Sequence, residues 1–600
     1  MNIPVKSAQV FALVGLLGLL SSAASAQKAP DADRYDGPAE LPRVYVSSAI
    51  RDTPAPGHVR LLKEGANLQE AIDDARCGDT LKLQAGATFT GLFRLPEKSC
   101  DDGHWIILRT SAADDQLPPE GTRITPCYAE VASLPGRPDF HCTAVSNVMA
   151  KIEFDGKSGM GPLQLAPGAN HYRLLGLEIT RASNGASIHN LIAPKEDSGA
   201  HHIIYDRLWV HGNAQDETKG GVHLSGTTYV AVVDSFFSDL HCTSIKGACT
   251  DAQAINGGGG NLPGGPYKIV NNFLEASGEN ILFGGSQATT TPADIEIRRN
   301  HLFKPMIWKP GQPGLVTGST GYPFIVKNHF ELKNGQRVLF EGNVLENVWG
   351  GFSQTGFSIL LTPKNQAPNI CPLCRVTDVT IRYNKVSHVA GVMQIANIPS
   401  GTGGAATAGE RYSIHDLVAD DIDGDAYKGF GSFAIIMSAT PTLKDVQISH
   451  VTAFPPRVLF SILSGVDKPK ISHFTLTNNL FGAGSREIAS AGGGPKNCAF
   501  PQRTRDPAGV FSSCFADSTF AHNLIIDSSG GWPKDNLLVS AGSAALRDWR
   551  NGHGGDYRLC REKGDAPSCK KASPGIRAGT DGKDIGADLD AIEKATAGVN

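Results

Sequence analysis

Apolar residues in the middle of the chain occur one position apart and are followed, three residues later, by an asparagine. Side chains alternate along a β-strand, so two apolar residues separated by one position point to the same side. Asparagine tolerates left-handed backbone and hydrogen-bonds nearby main chain, so it predicts a turn at the end of each strand. The five copies are Tyr267/Ile269/Asn272, Ile295/Ile297/Asn300, Val338/Phe340/Asn343, Val379/Ile381/Asn384 and Phe474/Leu476/Asn479.

Units of this size cannot bury an apolar face alone, so the repetition predicts that they stack into a solenoid. The interval from Asn272 to Asn300 is 28 residues. A coil of three strands needs about 20 to 30 residues, so this interval fits one coil. Longer intervals predict loops, such as 305–322 and 400–408, which are rich in Gly, Pro and Thr. In solenoids such loops collect on one face and often build the binding groove.

An amphipathic helix is predicted before the first strand. Asn67 is a suitable N-cap, and Leu68, Ala71 and Ile72 recur at helical spacing. Such a helix would cover the open end of a solenoid, where strand edges are otherwise exposed. Residues 27–60 before it are polar and Pro-rich, and we interpret them as a flexible leader.

The N-terminal residues have the form of a secretory signal. Lys6 precedes an apolar run over 10–20, and Ala24-Ser25-Ala26 forms a small-residue cleavage pattern. A short membrane anchor is the alternative, but the run is too short to span a bilayer comfortably. We therefore predict a signal peptide over 1–26 and an exported protein, periplasmic or extracellular, that does not insert into the membrane.

Composition agrees with an exported solenoid. The chain has 68 Gly but 6 Met, which suits many tight turns, and its net charge of −4 comes without a basic stripe for nucleic acid. An even count of 12 Cys in an exported chain favours disulfides. The cysteines fall in close sequential pairs, although their connectivity stays open. We expect a monomer that does not bind nucleic acid.

Three segments carry a resemblance to a known group of proteins. They are the opening Leu68-Gln-Glu-Ala-Ile-Asp followed by Cys77-Gly-Asp-Thr-Leu, the run from Phe330 to Asn343, and Gly579-Thr-Asp-Gly-Lys-Asp-Ile-Gly-Ala-Asp588. In these the chain resembles the bacterial right-handed parallel β-helix proteins of the pectate-lyase-like superfamily. The resemblance implies an all-β, single-domain right-handed parallel β-helix over 61–595, with an N-terminal capping helix and long loops on one face. It is specific for the fold and only weakly specific for the reaction.

A basic segment is the first candidate for chemistry. Lys327, Lys333 and Arg337 lie close together in the sequence, and clustered cations lower a lysine pKa. A polysaccharide lyase needs a neutral base and a cation that stabilises the charge formed beside a uronate carboxylate. By resemblance to alginate- and chondroitin-type β-helix lyases, Lys333 would be the base. Those lyases carry an arginine one coil on, where this chain has Lys364, so Arg337 or Lys364 would neutralise the carboxylate. The alternative is that Lys333 and Arg337 are solvated turn residues.

A pair of carboxylates is the second candidate. Asp251 and Glu279 are 28 residues apart, one coil length, and each precedes an apolar strand. Stacked on one face, they would be about one strand spacing apart, which suits a glycoside hydrolase. Gln253 and Asn280 would then line the groove. The alternative is that Glu279 and Asn280 bond turn backbone.

Two further sets complete the candidates. Asp421, Asp423 and Asp425 surround a glycine as at the start of a calcium loop, so Ca²⁺ is a candidate cofactor. The motif lacks its final glutamate, and a solvated acidic turn is the alternative. The aromatic residues of the central loops suit stacking on sugar rings, or else pack loops onto the solenoid. With Lys327 and the groove residues above, the candidate substrate-binding set adds Trp308, Trp349 and Gln354.

We therefore expect an exported carbohydrate-active enzyme that cleaves an acidic, uronate-containing polysaccharide by β-elimination. Two alternatives stay open. One is a β-helix glycoside hydrolase that uses the paired carboxylates. The other is a non-catalytic carbohydrate-binding or surface β-helix protein.

Overall fold

The strands of the protein pair in parallel, each with its equivalent in the next coil. The computed structural model describes residues 34–142, 144–195, 197–245, 247–351, 354–500 and 506–600. The expected signal peptide over 1–26 lies outside these residues. The sequence repeat reappears as strand register, because Tyr267 pairs with Ile295, Ile295 with Val338, and Val338 with Val379. The predicted right-handed parallel β-helix is confirmed.

One side of each coil contributes a strand to a sheet of 12 strands. Residues at alternate positions of these strands are buried in one continuous apolar core. The strands are Phe93–Leu95, Leu163–Leu165, Ile192–Pro194, Gly220–His223, Gln253–Gly257, Glu279–Phe283, Phe330–Leu332, Phe357–Leu361, Gly391–Asn397, Ser432–Ser438, Val458–Ser464 and Arg486–Ser490.

The other two sides of the coils form a sheet of 26 strands that bends at a turn inside each coil. In the middle coils the two sides merge into single long strands. The strands are Val59–Leu62, Thr80–Leu83, Thr88–Thr90, Ile106–Thr110, Ala150–Phe154, Asn170–Leu175, Leu177–Arg181, His201–Asp206, Trp209–His211, Thr228–Val233, Phe236–Ser238, Tyr267–Val270, Phe273–Glu275, Ala293–Arg298, His301–Phe303, Gly335–Glu341, Val344–Val348, Arg375–Val389, Ala408–Ile422, Lys444–Ala453, Ile471–Thr477, Leu480–Gly482, Phe515–Ala516, Thr519–Ala521, Leu524–Ile526 and Leu537–Val539.

The residue that turns the chain is the one before each repeated asparagine, not the asparagine itself. Asn271, Arg299 and Tyr383 have φ of 59°, 56° and 57°, the left-handed region. The following asparagine keeps ordinary backbone and is buried. Its side chain is needed because the turn leaves buried backbone groups without a partner in the strand, and these must be hydrogen-bonded.

These asparagines form a ladder along the helix axis. The backbone N–H of Asn300 donates to Oδ1 of Asn343 at 2.9 Å, and that of Asn343 donates to Oδ1 of Asn384 at 2.8 Å. The ladder is interrupted at Leu417 and Val451, which occupy the equivalent positions in the next two coils. It resumes in the last coils through the asparagines at positions 479, 523 and 536.

The predicted N-terminal helix is present over Leu68–Asp74 and is capped by Asn67, whose side chain accepts a hydrogen bond from the Glu70 N–H at 3.1 Å. It buries Leu68, Ala71 and Ile72 against the first coils. The other α-helices are Pro507–Cys514, Ala541–Ala544 and Leu589–Ala595, and the 3-10 helices are Ile50–Asp52, Asp114–Gln116, Pro126–Tyr128, Met306–Trp308, Gly494–Lys496 and Arg550–Gly552. Four small two-stranded sheets pair Tyr35–Asp36 with Ala39–Glu40, Ser158–Gly159 with Ser187–Ile188, Gly350–Gly351 with Gln354–Thr355, and Leu546–Asp548 with Asp556–Leu559.

All 12 cysteines form disulfides between sequence neighbours. The pairs are Cys77–Cys100, Cys127–Cys142, Cys242–Cys249, Cys371–Cys374, Cys498–Cys514 and Cys560–Cys569. Such pairing fits a protein exported to an oxidising compartment. Within the described residues, no helix is both long and apolar enough to cross a bilayer.

Part of the expected leader contacts the middle of the β-helix through charge. Asp36 accepts from Arg382 Nη1 at 2.8 Å and lies 3.0 Å from His415 Nε2. Burial raises the pKa of Asp36, but His415 and Arg382 outweigh burial and lower it to about 2. Burial lowers the pKa of His415, but its hydrogen bonds to Asp36 and Asp416 outweigh burial and raise it to about 9.

We predict that Asn343→Ala lowers the free energy of unfolding by about 2–4 kcal/mol, because it leaves the buried N–H of Asn300 and the carbonyl of Ile297 without their partner. The measurement is the urea midpoint of the variant against wild type. Asn147→Ala, at an exposed asparagine, is the control and should leave the midpoint nearly unchanged. Equal midpoints for the two variants would contradict a stabilising ladder.

We predict that His415→Gln destabilises the protein most at low pH. A histidine whose pKa is raised in the folded state stabilises fully below its unfolded pKa of about 6.5, and this stabilisation is lost as pH rises through about 9. The unfolding free energy of the variant should fall by about 1–3 kcal/mol at pH 6 and by little at pH 10. His473→Gln, at an exposed pair with Asp445, is the control and should lose no more than about 1 kcal/mol. A pH-independent loss at His415 would overturn the assignment.

Candidate active site

Charged side chains from successive coils meet along the 12-stranded sheet. Gln253 pairs with Glu279 in the next coil, and Leu282 pairs with Glu331 in the coil after that. The apolar neighbours Ile281 and Phe330 pair with each other and point into the core. Alternation along its strand places Glu331 on the outer face, whereas Gln253 and Glu279, two positions before the core residues Ile255 and Ile281, lie on the core-facing side at the start of their strands. Together these side chains form a row of charged and polar groups across successive coils.

The first part of this row is a bridge between two carboxylates. The Lys327 ammonium is ion-paired with Asp251, and its Nζ lies 3.7 Å from Oε1 of Glu279. Gln253 Nε2 donates to Oε2 of Glu279 at 2.9 Å. The sequence-predicted carboxylates are thus brought together, with a lysine between them. Burial lowers the pKa of Lys327, but Glu279 and Asp251 outweigh burial and raise it.

Glu279 is fully buried, and no hydrogen-bond donor among the described residues reaches its Oε1. Burial raises the pKa of this carboxyl, although Lys327 partly offsets the rise. Beneath it, Lys304 is also fully buried and donates to the carbonyls of Ala276 and Gly278 at 2.8 and 2.7 Å. Burial lowers the pKa of Lys304 to about 7.

The second part of the row joins Lys333, Glu331 and Lys364. Lys333 Nζ lies 3.4 Å from Oε1 of Glu331, which also accepts a hydrogen bond from Thr362 Oγ1 at 3.3 Å. Lys364 Nζ donates to the carbonyl of Ile398 at 3.1 Å. Burial lowers the pKa of Lys333, but the carboxylates of Glu331, Glu279 and Asp251 together outweigh burial and raise it. Burial lowers the pKa of Lys364; the Glu331 carboxylate partly offsets this effect, and the Lys333 charge adds to the lowering.

Arg337 lies apart from these lysines, because it belongs to a turn column of the 26-stranded sheet. Its backbone is left-handed, with φ of 50°, and its Nε donates to Asp294 Oδ1 at 2.7 Å. Asp294, Arg337, Asp378, Arg411, Asp445 and His473 occupy equivalent left-handed positions in six coils, and they pair two by two as 294–337, 378–411 and 445–473. The structure therefore places Arg337 in a structural ladder.

Three members of the candidate substrate-binding set are enclosed by protein. Trp308 and Trp349 are 1% and 2% exposed and pack in the main core. Asn280 Nδ2 donates to the carbonyls of Leu274 and Phe303 at 2.6 and 3.0 Å. Gln354 lies in a partly exposed hairpin. Of this set, Lys327 and Gln253 are the ones that join the charged row.

The three aspartates of the candidate calcium loop do not converge. Asp421 accepts from Tyr427, Asp423 accepts from the backbone N–H of residue 425 at 2.7 Å, and Asp425 is ion-paired with Arg457. Calcium takes six to eight oxygen ligands around one point. These carboxylates are instead used in separate contacts, and the arrangement does not fit the ion.

No family profile and no curated protein matches the sequence. Among the similar solved structures is the pectate lyase Pel9A, with 10% identity, a TM-score of 0.35 and coverage of 89% of this chain and 97% of that chain. The alginate lyase of Paenibacillus sp. str. FPU-7 has 10% identity, a TM-score of 0.28 and coverage of 81% of this chain and 98% of that chain. The catalytic domain of GH87 alpha-1,3-glucanase in complex with nigerose has 9% identity, a TM-score of 0.44 and coverage of 80% of this chain and 70% of that chain.

Identities this low concern the fold alone, and the strand register of the chain decides that fold. The chain is a parallel β-helix protein. The fold that the sequence resemblance implied is confirmed by this register. What the β-helix does has to be argued from its own side chains.

Two residues of the β-helix site were not assigned from the sequence. Glu331 lies in the run from Phe330 to Asn343. Only Leu332 separates it from Lys333, and this spacing indicates that both side chains point outward. Lys304 follows the strand His301–Phe303, and nothing in the local sequence distinguishes a buried lysine from a solvated one.

The charged row offers both halves of proton-transfer chemistry. Lys364 has a lowered pKa and is the better base, whereas Lys333 keeps its positive charge beside Glu331. Glu279, with a raised pKa, is suited to hold a proton but is shielded from solvent. Cations on an outer face also attract an anionic polymer.

Proposed function

We propose that the protein is an exported polysaccharide lyase that cleaves uronate-containing chains by β-elimination along the outer face of the 12-stranded sheet. One observation carries this proposal. Lys333 and Lys364 lie in adjacent coils, where the backbone N–H of Lys364 donates to the Lys333 carbonyl at 3.1 Å, and their pKa values shift in opposite directions, which supports a base next to a cation. A lyase requires these two groups together.

In the proposed reaction the neutral amine of Lys364 removes the proton beside the uronate carboxyl group. Lys333, whose charge Glu331 maintains, offsets the negative charge that builds up on that carboxylate. The bond to the leaving sugar oxygen breaks, a carbon–carbon double bond forms, the leaving oxygen takes a proton from water, and the Lys364 ammonium returns its proton to solvent. These roles exchange those suggested by family resemblance, because carboxylate neighbours raise the pKa of Lys333.

A glycoside hydrolase is the second candidate, and the raised pKa of Glu279 beside Asp251 favours it. Two observations weigh against it. Lys327 lies between the two carboxylates, and Glu279 is fully buried, so a sugar does not reach it without a rearrangement. A binding protein without turnover is the remaining alternative.

The lyase proposal predicts the chemical form of the product. The mature protein should release unsaturated fragments from one or more polyuronates, seen as rising ultraviolet absorbance in step with reducing ends, and both calcium-free and calcium-containing buffers should be tested. Lys364→Ala and Lys333→Ala should each lower the rate about 10²- to 10⁴-fold, as for loss of a positioned proton-transfer or charge-stabilising group. Lys468→Ala, an exposed lysine, is the matched control.

Other outcomes have distinct meanings. Reducing ends without absorbance, lost in Asp251→Asn, would mean hydrolysis. Glycan binding without either signal would leave a binding protein. Wild-type rates in both lysine variants would remove these lysines from the mechanism.

The second prediction concerns pH. Because Lys364 acts as a neutral amine and its pKa is lowered, the rate should rise with pH along a limb that lies below the ordinary lysine value of 10.5. Lys333→Ala removes a cation that disfavours charge on Lys364, so the remaining activity should shift to higher pH. Glu331→Gln removes a carboxylate that favours that charge, so its limb should shift to lower pH. Shifts in the same direction would contradict Lys364 as the base.

A further inference from the structure

A cluster of two histidines and an aspartate lies on the 26-stranded sheet, on a different face from the lysine row. One donor atom each from Asp102, His171 and His202 lies within 4.8 Å of the other two. His171 and His202 hold equivalent positions in consecutive coils, because Asn170 pairs with His201 and Tyr172 with Ile203. Their rings stack at a centroid distance of 4.7 Å with 6° between the planes.

Hydrogen bonds around His171 identify which ring nitrogen carries the proton. Asn170 Nδ2 donates to the carbonyls of Lys98 and Gly168, both at 2.8 Å, and this fixes the orientation of the Asn170 amide. Its Oδ1 therefore faces His171 Nδ1 at 2.8 Å and accepts the proton on that nitrogen. In the neutral imidazole the other nitrogen, Nε2, is then left with a lone pair.

This lone pair faces a carboxylate. His171 Nε2 lies 3.3 Å from Asp102 Oδ1. Two acceptors at such a distance repel each other unless a proton or a cation lies between them. The distance is also close to the separation of about 3.3–3.5 Å between two ligands of a tetrahedral zinc ion, each about 2.0–2.1 Å from the metal.

We propose that Asp102, His171 and His202 bind a divalent transition-metal ion of the zinc class. Imidazole lone pairs lie in the ring plane, so on binding the His202 ring turns out of its stack on His171 and away from Nδ1 of His201, which lies 2.7 Å from its own Nδ1. Two imidazoles and a carboxylate suit zinc, whereas calcium takes oxygen ligands. Asn170 would act as the outer partner that orients His171, an arrangement typical of metal-ligating histidines. A site with three protein ligands keeps a fourth position open for water or a small ligand.

The open position would face a cleft with a volume of about 1380 Å³ between the outer face of the sheet and residues 45–54. Trp105 and Tyr229 line this cleft with the histidines, and the Trp105 ring meets the His171 ring edge-on at 5.1 Å. Lys268 and Arg298 also line the cleft. The proposal is independent of the lyase activity, since no residue of the lysine row contributes to it.

The test is a zinc titration of the metal-stripped mature protein by calorimetry, with Co²⁺ as a second probe whose visible absorption reports tetrahedral coordination. We expect one ion per chain. His171→Asn, His202→Asn and Asp102→Asn should each weaken binding by about 100-fold or more, since loss even of an outer partner costs about 10- to 100-fold. Asparagine is chosen because His171 and His202 have φ of 55° and 54°, which asparagine tolerates.

His473→Asn is the matched control, because it removes a histidine from the same turn column, at φ 52°, far along the sheet from the cluster. It should bind zinc as wild type does. Thermal unfolding without metal checks that each variant folds, and Asp102 is exposed enough to be replaced without disturbing the core. Absence of saturable binding would overturn the proposal and assign the short contact to a shared proton. Equal binding by wild type and the three cluster variants would also overturn it.

Discussion

Every coil of this protein must turn at the same place, and a single residue in the left-handed conformation makes that turn possible. Parallel strands stack about 4.8 Å apart only if each coil repeats the path of the one before. Left-handed residues such as Asn271, Arg299 and Tyr383 provide the repeated path. The asparagine that follows in most coils provides the hydrogen bonds that the turn would otherwise leave unmade. Where Leu417 and Val451 replace it, the strands Ala408–Ile422 and Lys444–Ala453 run through the turn without a break, as the strand Arg375–Val389 also does at Asn384.

The same stacking brings charges from distant parts of the sequence into contact. Asp251, Glu279 and Lys327 come from separate coils, yet they meet because each lies at or just before the start of its strand. A buried carboxyl next to a lysine, and a lysine next to another lysine, then acquire shifted pKa values without any dedicated loop. A solenoid therefore builds its chemistry in rows along the axis, and a row also suits a ligand that is itself a linear chain.

The fold could be predicted because the repeat is local. The two apolar positions before Asn300 or Asn343 predict both the strand and its register, and Asn67 predicts the start of the helix. The candidate site was harder to predict from the sequence. Asp251 and Glu279 could be paired from their spacing alone, and Lys333 could be assigned to the site from the sequence run in which it lies. Arg337 could not be separated from Lys333 by sequence, because the three positions between them contain the corner at which the chain passes from one sheet to the other. The aspartate–histidine cluster was equally hidden, since Asp102 lies in a loop far from both histidines in the sequence.

The column of charges at the turn has a consequence for how this protein can change in length. Along it, acidic and basic residues alternate from Asp294 through Arg337 and Asp378 to Arg411. Loss or duplication of a single coil would place two like charges side by side at a bent, partly buried position. Loss or duplication of two coils would keep the alternation. Insertions or deletions of two coils are therefore compatible with the alternating charges of this column, whereas those of one coil are not.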